Sequence, residues 1–361
     1  MQKTIIIASS GTGGHIYPGI AVARELESKG FKPVFFISSN PASLGIIKNE
    51  GYEYVAFNLS GMPRKASFSF IVFCVKLFFA FLKSFRYILK LKPQAVFGTG
   101  GYISVPVIFA GRILGKKTYL HEQNSVAGIA NRFLSLIVSK VFISFESSAK
   151  YFKRKNFVLC GYPIRKDILG ISKEEACKEL GIDKNIFTVL IVGGSLGAAK
   201  LNEIAFNAIM SLRESKALAA IQVIHITGNA NYTEIKEKAA NLVHYNVFPY
   251  MHDIKHAYAA SDAVISRAGA GAVFELKSLN KPAVLIPYPY ATDNHQFYNA
   301  KELEGAIVIE EKDLTPQNLC EAVVKLKNTP KTAETKQEAK PLPQETIVKQ
   351  IIDEGQGEDR V

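Results

Sequence analysis

The sequence predicts an α/β protein of two Rossmann-like domains in tandem with a cleft between them. Three observations predict it. The chain has 361 residues, more than one hydrophobic core usually serves and enough for two domains of roughly 150 to 180 residues. Short β-branched runs alternate with Gly-rich turns and longer helical patterns, as in doubly wound parallel sheets. Two of these units, Thr4 to Gly14 and Thr188 to Gly197, both read strand, glycine loop, helix, as the opening unit of a separate sheet would.

The first strand, Thr4 to Ala8, leads into Gly11-Thr12-Gly13-Gly14-His15 and a helix with Pro18 in its early turn. Glycines there let backbone N–H groups approach an anion or a sugar closely, and the helix N-terminus adds its dipole. A dinucleotide fingerprint needs a third glycine where Ile16 stands and an acidic residue after the second strand, where Phe35-Phe36-Ile37-Ser38-Ser39 offers none. NAD binding is thus disfavoured. His15, the first side chain beyond the glycines, could act as a general base near neutral pH. A structural, loop-capping histidine is the alternative.

Residues 68–92 form the most apolar segment, interrupted by Lys76, Lys83, Arg86 and Lys90 so that no uncharged run has the length of a spanning helix. On a helix the four cations fall within an arc of about 80°, and Phe78, Phe79, Phe81, Leu82, Phe85, Ile88 and Leu89 cover most of the rest. The expectation is a monotopic contact with anionic membrane lipids, apolar side chains entering the headgroup boundary and cations meeting the lipid phosphates. A helix buried in its own domain with a cationic solvent edge is the alternative.

The next strand, Ala95 to Phe97, runs into Gly98-Thr99-Gly100-Gly101-Tyr102, and Lys117 to Leu120 into His121-Glu122-Gln123-Asn124. Four polar side chains at a strand's end suit ligand contacts in an α/β sheet; four solvated loop residues is the other reading. The strand-like Phe157 to Cys160 ends in Gly161-Tyr162-Pro163, which places the first domain at 1–162 and the second at 163–330.

In the second half, Thr188 to Val192 leads into Gly193-Gly194-Ser195-Leu196-Gly197, which suits a pyrophosphate held by backbone N–H groups with the Ser195 hydroxyl assisting. Strands at Val223 to Ile226 and Ala263 to Ile265 follow. The small-residue loop Ser266 to Gly271 then opens a helix carrying Glu275. A carboxylate there can accept two hydrogen bonds from a ribose diol; a surface Glu near a helix N-terminus is the ordinary alternative. After Ala283 to Ile286, the polar and aromatic stretch Pro287 to Asn299 could form a lid over a sugar. Residues 331–361 read as a polar connector, a short final helix from Thr346 to Asp353 that could pack back on the body, and a tail.

Charge is lopsided. Residues 1–166 hold 23 Lys and Arg against 6 Asp and Glu, a net +17, whereas residues 167–361 are net −5. A cationic half attracts phosphates, whether of lipid headgroups or of a charged substrate; no nucleic-acid motif interleaves with the cations, so nucleic acid is not expected. Four scattered cysteines suggest neither zinc nor disulfides. The short apolar N-terminal run leads straight into a glycine loop, so a cytoplasmic placement is expected. No D-x-D occurs, which argues against a carboxylate-bound metal on a diphosphate, and no cofactor is expected.

Taken together, GTGGHIYPGIAVA, VFGTGGYISVP, HEQNSVAGIANR, GYPIR, GGSLGA, SRAGAGAVFE and DNHQFYNA, in this order and spacing, resemble the MurG family of N-acetylglucosaminyltransferases. The resemblance runs from about Lys3 to Lys327 and implies the GT-B fold. It implies UDP-N-acetylglucosamine as donor on the C-terminal domain, and undecaprenyl-diphosphate-linked muramyl pentapeptide as acceptor on the N-terminal domain. Inverting transfer to the muramyl C4 hydroxyl at the cytoplasmic face of the inner membrane, in peptidoglycan synthesis, follows. By this resemblance Thr12, Gly13 and Gly14 face the diphosphate and acceptor, and His15 is the base. Asn124 contacts the donor sugar region, Arg165 and Ser195 the diphosphate, and Met251 the uracil. Ala270, Gly271, Ala272, Val273, Phe274 and Glu275 wrap the nucleotide, with Glu275, the second candidate catalytic residue, on the ribose. Gln296 reads the sugar hydroxyls. Two departures are His295, where a second Gln is common, and Gly271-Ala272 in place of a Leu-Thr pair. A glycolipid glycosyltransferase or UDP-sugar epimerase of the same fold, and a non-catalytic nucleotide-sugar-binding membrane scaffold, are the competing readings; HEQN and the His15 context speak against the first two.

Overall fold

The computed structural model describes residues 2–11, 13–63, 68–194, 197–215, 220–251, 253–329 and 341–356. They form two compact units. The first runs to Arg165 and takes in the C-terminal helix; the second is the continuous stretch Lys166–Glu338.

The first unit is built on seven strands: β1 (Thr4–Ser9), β2 (Lys32–Ser38), β3 (Tyr54–Phe57), β4 (Ala95–Gly98), β5 (Lys117–Glu122), β6 (Lys140–Ile143) and β7 (Phe157–Leu159). They are ordered β3-β2-β1-β4-β5-β6-β7 and all pairings are parallel. Its helices are α1 (Gly13–Ser28), α2 (Pro41–Asn49), α3 (Phe68–Leu91), α4 (Ser104–Ile113) and α5 (Ile129–Leu134). Alternation along β1 divides the core: Ile6 and Ala8 pack with Val107, Ile108 and Ile88 on one face, Ile5 and Ile7 with Ile16, Ile20 and Leu26 on the other. Both faces are covered, so central strands are buried along their whole width.

The second unit contains α6 (Lys173–Leu180), β8 (Phe187–Val192), α7 (Ala199–Glu214), β9 (Ile221–Ile226), α8 (Tyr232–Lys238), β10 (Tyr245–Phe248), α9 (Ile254–Ala260), β11 (Ala263–Ser266), α10 (Ala270–Ser278), β12 (Ala283–Leu285), α11 (His295–Lys301), β13 (Ile307–Val308) and α12 (Pro316–Asn328). Its parallel sheet is ordered β10-β9-β8-β11-β12-β13. In each unit the order reverses beside the first strand, between β1 and β4 and between β8 and β11. Both glycine loops leave from those switch points, where open α/β sheets bind ligands.

The last helix, α13 (Pro343–Gln356), is longer than Thr346 to Asp353. Pro343 suits the first helical turn, and the Glu345 carboxylate accepts the Leu342 N–H at 3.0 Å, which sets the start earlier. Ile347, Val348 and Ile351 are buried with Ile16, Ile20 and the rest of the α1 face, so this helix completes the first unit. The contact boundary lies between Arg165 and Lys166, which assigns Arg165 to the first unit.

By length and composition α3 is long and apolar enough to cross a membrane, and only 11% of its most apolar stretch is buried, while Lys76, Lys83, Arg86 and Lys90 still leave no uncharged run of spanning length. Its inner stripe, Ala80, Ser84 and Ile88, is nevertheless buried against the sheet. Phe78 and Phe79 stand out at 57% and 63% exposure, whereas Phe81 and Phe85 pack against the core. The alternative of a helix buried in its own domain is overturned.

Candidate active site

In the first unit the loops after β1, β4 and β5 converge on His15. Its Nδ1 lies 2.8 Å from the Thr99 carbonyl and 3.1 Å from Gln123 Oε1. Both partners only accept, so Nδ1 carries the proton and Nε2 keeps its lone pair. Nε2 makes no hydrogen bond among the described residues. Burial holds the His15 pKa below its ordinary value, opposed by the two bonds to Thr99 and Gln123. The ring is therefore neutral at physiological pH, with its free nitrogen in the base form.

Gln123 is itself fixed. Its Nε2 donates to the Thr99 carbonyl at 2.6 Å and to His121 Nδ1 at 3.0 Å. Turning the amide over would set two carbonyl oxygens against each other at the first distance, so the orientation is unambiguous. His121 must then accept at Nδ1 and donate from Nε2, which lies 3.1 Å from the Gly161 carbonyl. Burial pushes the His121 pKa down to about 4.

Glu122 organises the following loop. One carboxylate oxygen accepts the Asn124 N–H at 2.9 Å; the other accepts the Gly128 N–H at 3.0 Å and Asn131 Nδ2 at 2.7 Å. Burial raises its pKa against those hydrogen bonds. His121, Glu122 and Gln123 are all buried, which overturns the reading of four solvated loop residues. β5 lies between β4 and β6, and Thr99, Gly161 and Asn131 from the neighbouring segments close over these side chains. Asn124 is half-buried and held through its backbone by Glu122.

The β1 and β4 loops also touch. Ser10 Oγ donates to the Gly100 carbonyl at 2.9 Å. Gly101 has φ +72°, and a Cβ there would sit 1.7 Å from Ser10 Oγ and 3.6 Å from His15 Nε2. Gly14 is exposed, and its carbonyl accepts the Tyr162 hydroxyl at 3.3 Å. Gly13 approaches the Tyr17 ring, over which the half-buried Arg165 guanidinium lies at 5.9 Å. Thr12 lies outside the described residues.

In the second unit the loop after β8 passes so close to β9 that a Cβ on Gly197, at φ +77°, would meet the Thr227 carbonyl oxygen at 2.5 Å. Only glycine fits there. Asn202 on α7 donates to that same carbonyl at 2.8 Å, and His225 contacts Asn202 Oδ1 at 3.2 Å and the Tyr245 hydroxyl at 2.9 Å. Ser195 lies outside the described residues. α7 and α10 begin with no side-chain cap, as do α8, α9 and α11; what sets α7 and α10 apart is their place after β8 and β11, at the switch point, where first-turn N–H groups suit an anion.

α10 carries Ala270 to Glu275. Ala270 and Val273 are buried, while Gly271, Ala272, Phe274 and Glu275 keep partial exposure. Arg267, which precedes it, was not among the expected site residues. It is 9% exposed, pairs with Glu311, donates to the Ile286 and Pro287 carbonyls at 3.3 Å and lies 5.6 Å over the Tyr288 ring. It pins the loop that leads to Gln296. There Gln296 Oε1 accepts the Tyr288 N–H at 3.0 Å, so the amide presents its NH2 outward. His295 Nδ1 bonds the Thr292 carbonyl at 2.8 Å. Met251 is half-buried in the loop after β10. No group of three or more His, Cys, Asp or Glu gathers as a metal site among the described residues.

Comparison with known proteins covers nearly the whole chain. The profile of the glycosyltransferase family 28 N-terminal domain matches residues 5–143, and that of the C-terminal domain matches residues 188–354. The chain is 35% identical over 371 residues to the UDP-N-acetylglucosamine–N-acetylmuramyl-(pentapeptide) pyrophosphoryl-undecaprenol N-acetylglucosamine transferase of Halothermothrix orenii, spanning 98% of this chain and 99% of that protein. It is 36% identical over 330 residues to the transferase of the same name from Bacillus subtilis, spanning 88% and 89%. Among solved structures, the crystal structure of Acinetobacter baumannii MurG matches with a TM-score of 0.74 at 27% identity, over 98% of this chain and 100% of that one.

Proposed function

The chain belongs to the MurG family of family 28 glycosyltransferases, and on that premise we propose how its residues carry out the transfer. It moves N-acetylglucosamine from UDP-N-acetylglucosamine to the muramyl C4 hydroxyl of undecaprenyl-diphosphate-linked muramyl pentapeptide, turning lipid I into lipid II. The observation that carries the mechanism is His15, neutral, with both hydrogen bonds at Nδ1 and the Nε2 lone pair unused.

In this reading the acceptor hydroxyl gives its proton to His15 Nε2 as its oxygen attacks the anomeric carbon. The bond from that carbon to the UDP oxygen breaks with its electron pair, and the configuration inverts. A base of this kind is worth roughly 10² to 10⁴ in rate. The leaving diphosphate gains charge, which the uncapped N-termini of α7 and α10, with Ser195 and Arg165, are suited to meet. Glu275 takes the ribose diol, Met251 the uracil face, and Asn124 the donor sugar region. The Gln296 NH2 donates to a sugar hydroxyl, its oxygen being occupied by the Tyr288 N–H. Thr12, Gly13 and Gly14 receive the acceptor diphosphate. No cofactor is called for.

The acceptor's polyprenyl tail stays in the bilayer, so the enzyme must meet it there. We assign that contact to the exposed face of α3, where Phe78 and Phe79 enter the headgroup boundary and Lys76 and Lys90 meet anionic lipid. The enzyme then works as a peripheral protein on the cytoplasmic face of the inner membrane.

The test is transfer of radiolabelled sugar from UDP-N-acetylglucosamine to a short-chain analogue of lipid I, in EDTA, with His15→Ala alongside. Transfer by the parent and a loss of about 10² or more in the variant is expected. Full activity of the variant would remove His15 as base. UDP binding without any transfer would favour the scaffold reading.

A further inference from the structure

We propose that His121 and Gln123 are positioning residues for the transfer: a hydrogen-bond relay from the Gly161 carbonyl through both side chains presents Gln123 Oε1 to His15 and holds its ring with Nε2 as the free base. The inference rests on the reading of His15 as base. The relay's direction is fixed at both ends, because the Thr99 and Gly161 carbonyls only accept; the Ser144 hydroxyl, 3.3 Å from His121 Nε2, donates to Gly161 and accepts from the ring. The Gly161 carbonyl accepts from His121 Nε2, so His121 Nδ1 is bare; Nδ1 receives the Gln123 NH2, so Gln123 Oε1 turns to His15.

The Thr99 carbonyl alone would leave the imidazole free to swing about χ2. Two acceptors on one N–H define the ring plane, and Gln123 also ties down the Thr99 carbonyl at 2.6 Å. When Nε2 takes the acceptor's proton, the imidazolium charge is met at Nδ1 by two oxygen dipoles already aimed at it, without reorganisation. His121 stays neutral down to about pH 4, so it remains an acceptor for Gln123 at physiological pH. No solvent-facing part of this relay explains its burial: His121 and Gln123 are 0% and 2% exposed. A buried polar chain is costly unless fully paired, and here every link is paired.

The test uses the full chain, the lipid I analogue and four substitutions. Gln123→Met, which keeps the length but removes both bonding groups, should lower kcat about tenfold or more with the KM for UDP-N-acetylglucosamine within about twofold. Its acid limb should move to lower pH, since a bond that raises the His15 pKa is lost. His121→Gln keeps a donor near Gly161 but no acceptor at the Nδ1 position and should behave alike; His121→Asn keeps that acceptor and should recover most of what His121→Gln loses. The reverse order of the two His121 variants, or an unmoved acid limb in Gln123→Met, overturns the relay. His15→Ala separates the two ideas: its full activity removes the base itself, whereas its inactivity beside parent-like relay variants removes the relay alone. Should the variants fail to fold, the ¹⁵N spectrum of histidine-labelled parent decides: a His121 protonated at Nδ1, or a His15 protonated at Nε2, overturns the relay, and a His121 protonated at Nε2 beside a His15 protonated at Nδ1 upholds it.

Discussion

Replacing Gly101 by alanine adds one methyl group at the point where the first two loops meet. The new Cβ would lie 1.7 Å from Ser10 Oγ and 2.9 Å from Ser10 Cβ, so rotating the serine hydroxyl away does not suffice and the backbone must yield. The left-handed φ of +72° costs an alanine about 1 to 2 kcal/mol. Losing the Ser10–Gly100 hydrogen bond costs about 1 kcal/mol or more, and overpacking a close contact typically adds about 1 to 3 kcal/mol. The expected loss is on the order of 4 kcal/mol, read by urea denaturation followed by circular dichroism, since the chain has no Trp. Ser10→Gly removes both clashing atoms and leaves the φ penalty. The double variant should therefore be about 3 kcal/mol more stable than the sum of the single changes predicts, since the clash is relieved and the hydrogen bond is lost once, not twice. A coupling below about 0.5 kcal/mol, or a Gly101→Ala protein within about 1 kcal/mol of the parent, would refute the claim that Ser10 and Gly101 are packed to contact.

Other predictions address separate parts of the molecule. Burial holds the His225 pKa at about 3 against an ordinary 6.5. The unfolded chain thus binds more protons between these values, and its contribution to stability is complete above pH 6.5 and is lost as pH falls. At pH 5 that loss is about 2 kcal/mol, so His225→Gln should show a stability difference between pH 7 and pH 5 smaller by about that amount; an identical pH dependence would count against a neutral buried ring. Glu275→Ala should weaken UDP binding by about ten- to a hundredfold, the worth of a charge-assisted hydrogen bond, with calorimetry as the check and unchanged affinity as the contrary result. Phe78→Ser with Phe79→Ser should reduce binding to anionic liposomes at least about tenfold while UDP affinity stays at the parent value; undiminished liposome binding would move the membrane contact off α3.

Much of this was legible in the sequence, because parallel α/β sheets announce themselves through alternation and glycine loops. Thr4 to Ala8 and Thr188 to Val192 could be read as the opening strands of two sheets, and the seven ordered motifs carried the family. Side-chain partners were less legible. His15 meets Thr99 and Gln123 across 84 and 108 residues, and no local pattern reports such distances. The signal that was present is positional: His121 and Glu122 end a strand flanked on both sides, where burial is the common outcome. Arg267 was hidden differently, because a lone Arg between a strand and small residues says nothing of Glu311. α3 stayed ambiguous because amphipathic helices facing a core and facing lipid have the same periodicity; the exposure of Phe78 and Phe79 shows only that this face does not meet the core of its own unit.

The docking of α13 on α1 has a consequence for biosynthesis. Tyr119 donates to Glu354 at 2.9 Å, and Lys140 pairs with the same carboxylate at 2.6 Å, so the first unit needs residues made after the whole of the second. The second unit is continuous in sequence and can complete itself as it emerges. At about 5 to 20 residues per second, the ribosome spends on the order of ten seconds or more adding the intervening stretch, during which the α1 face that receives Ile347, Val348 and Ile351 stands open. The half of the molecule translated first is therefore the one finished second, and a chain cut short before α13 leaves a greasy seam for chaperones and proteases to find.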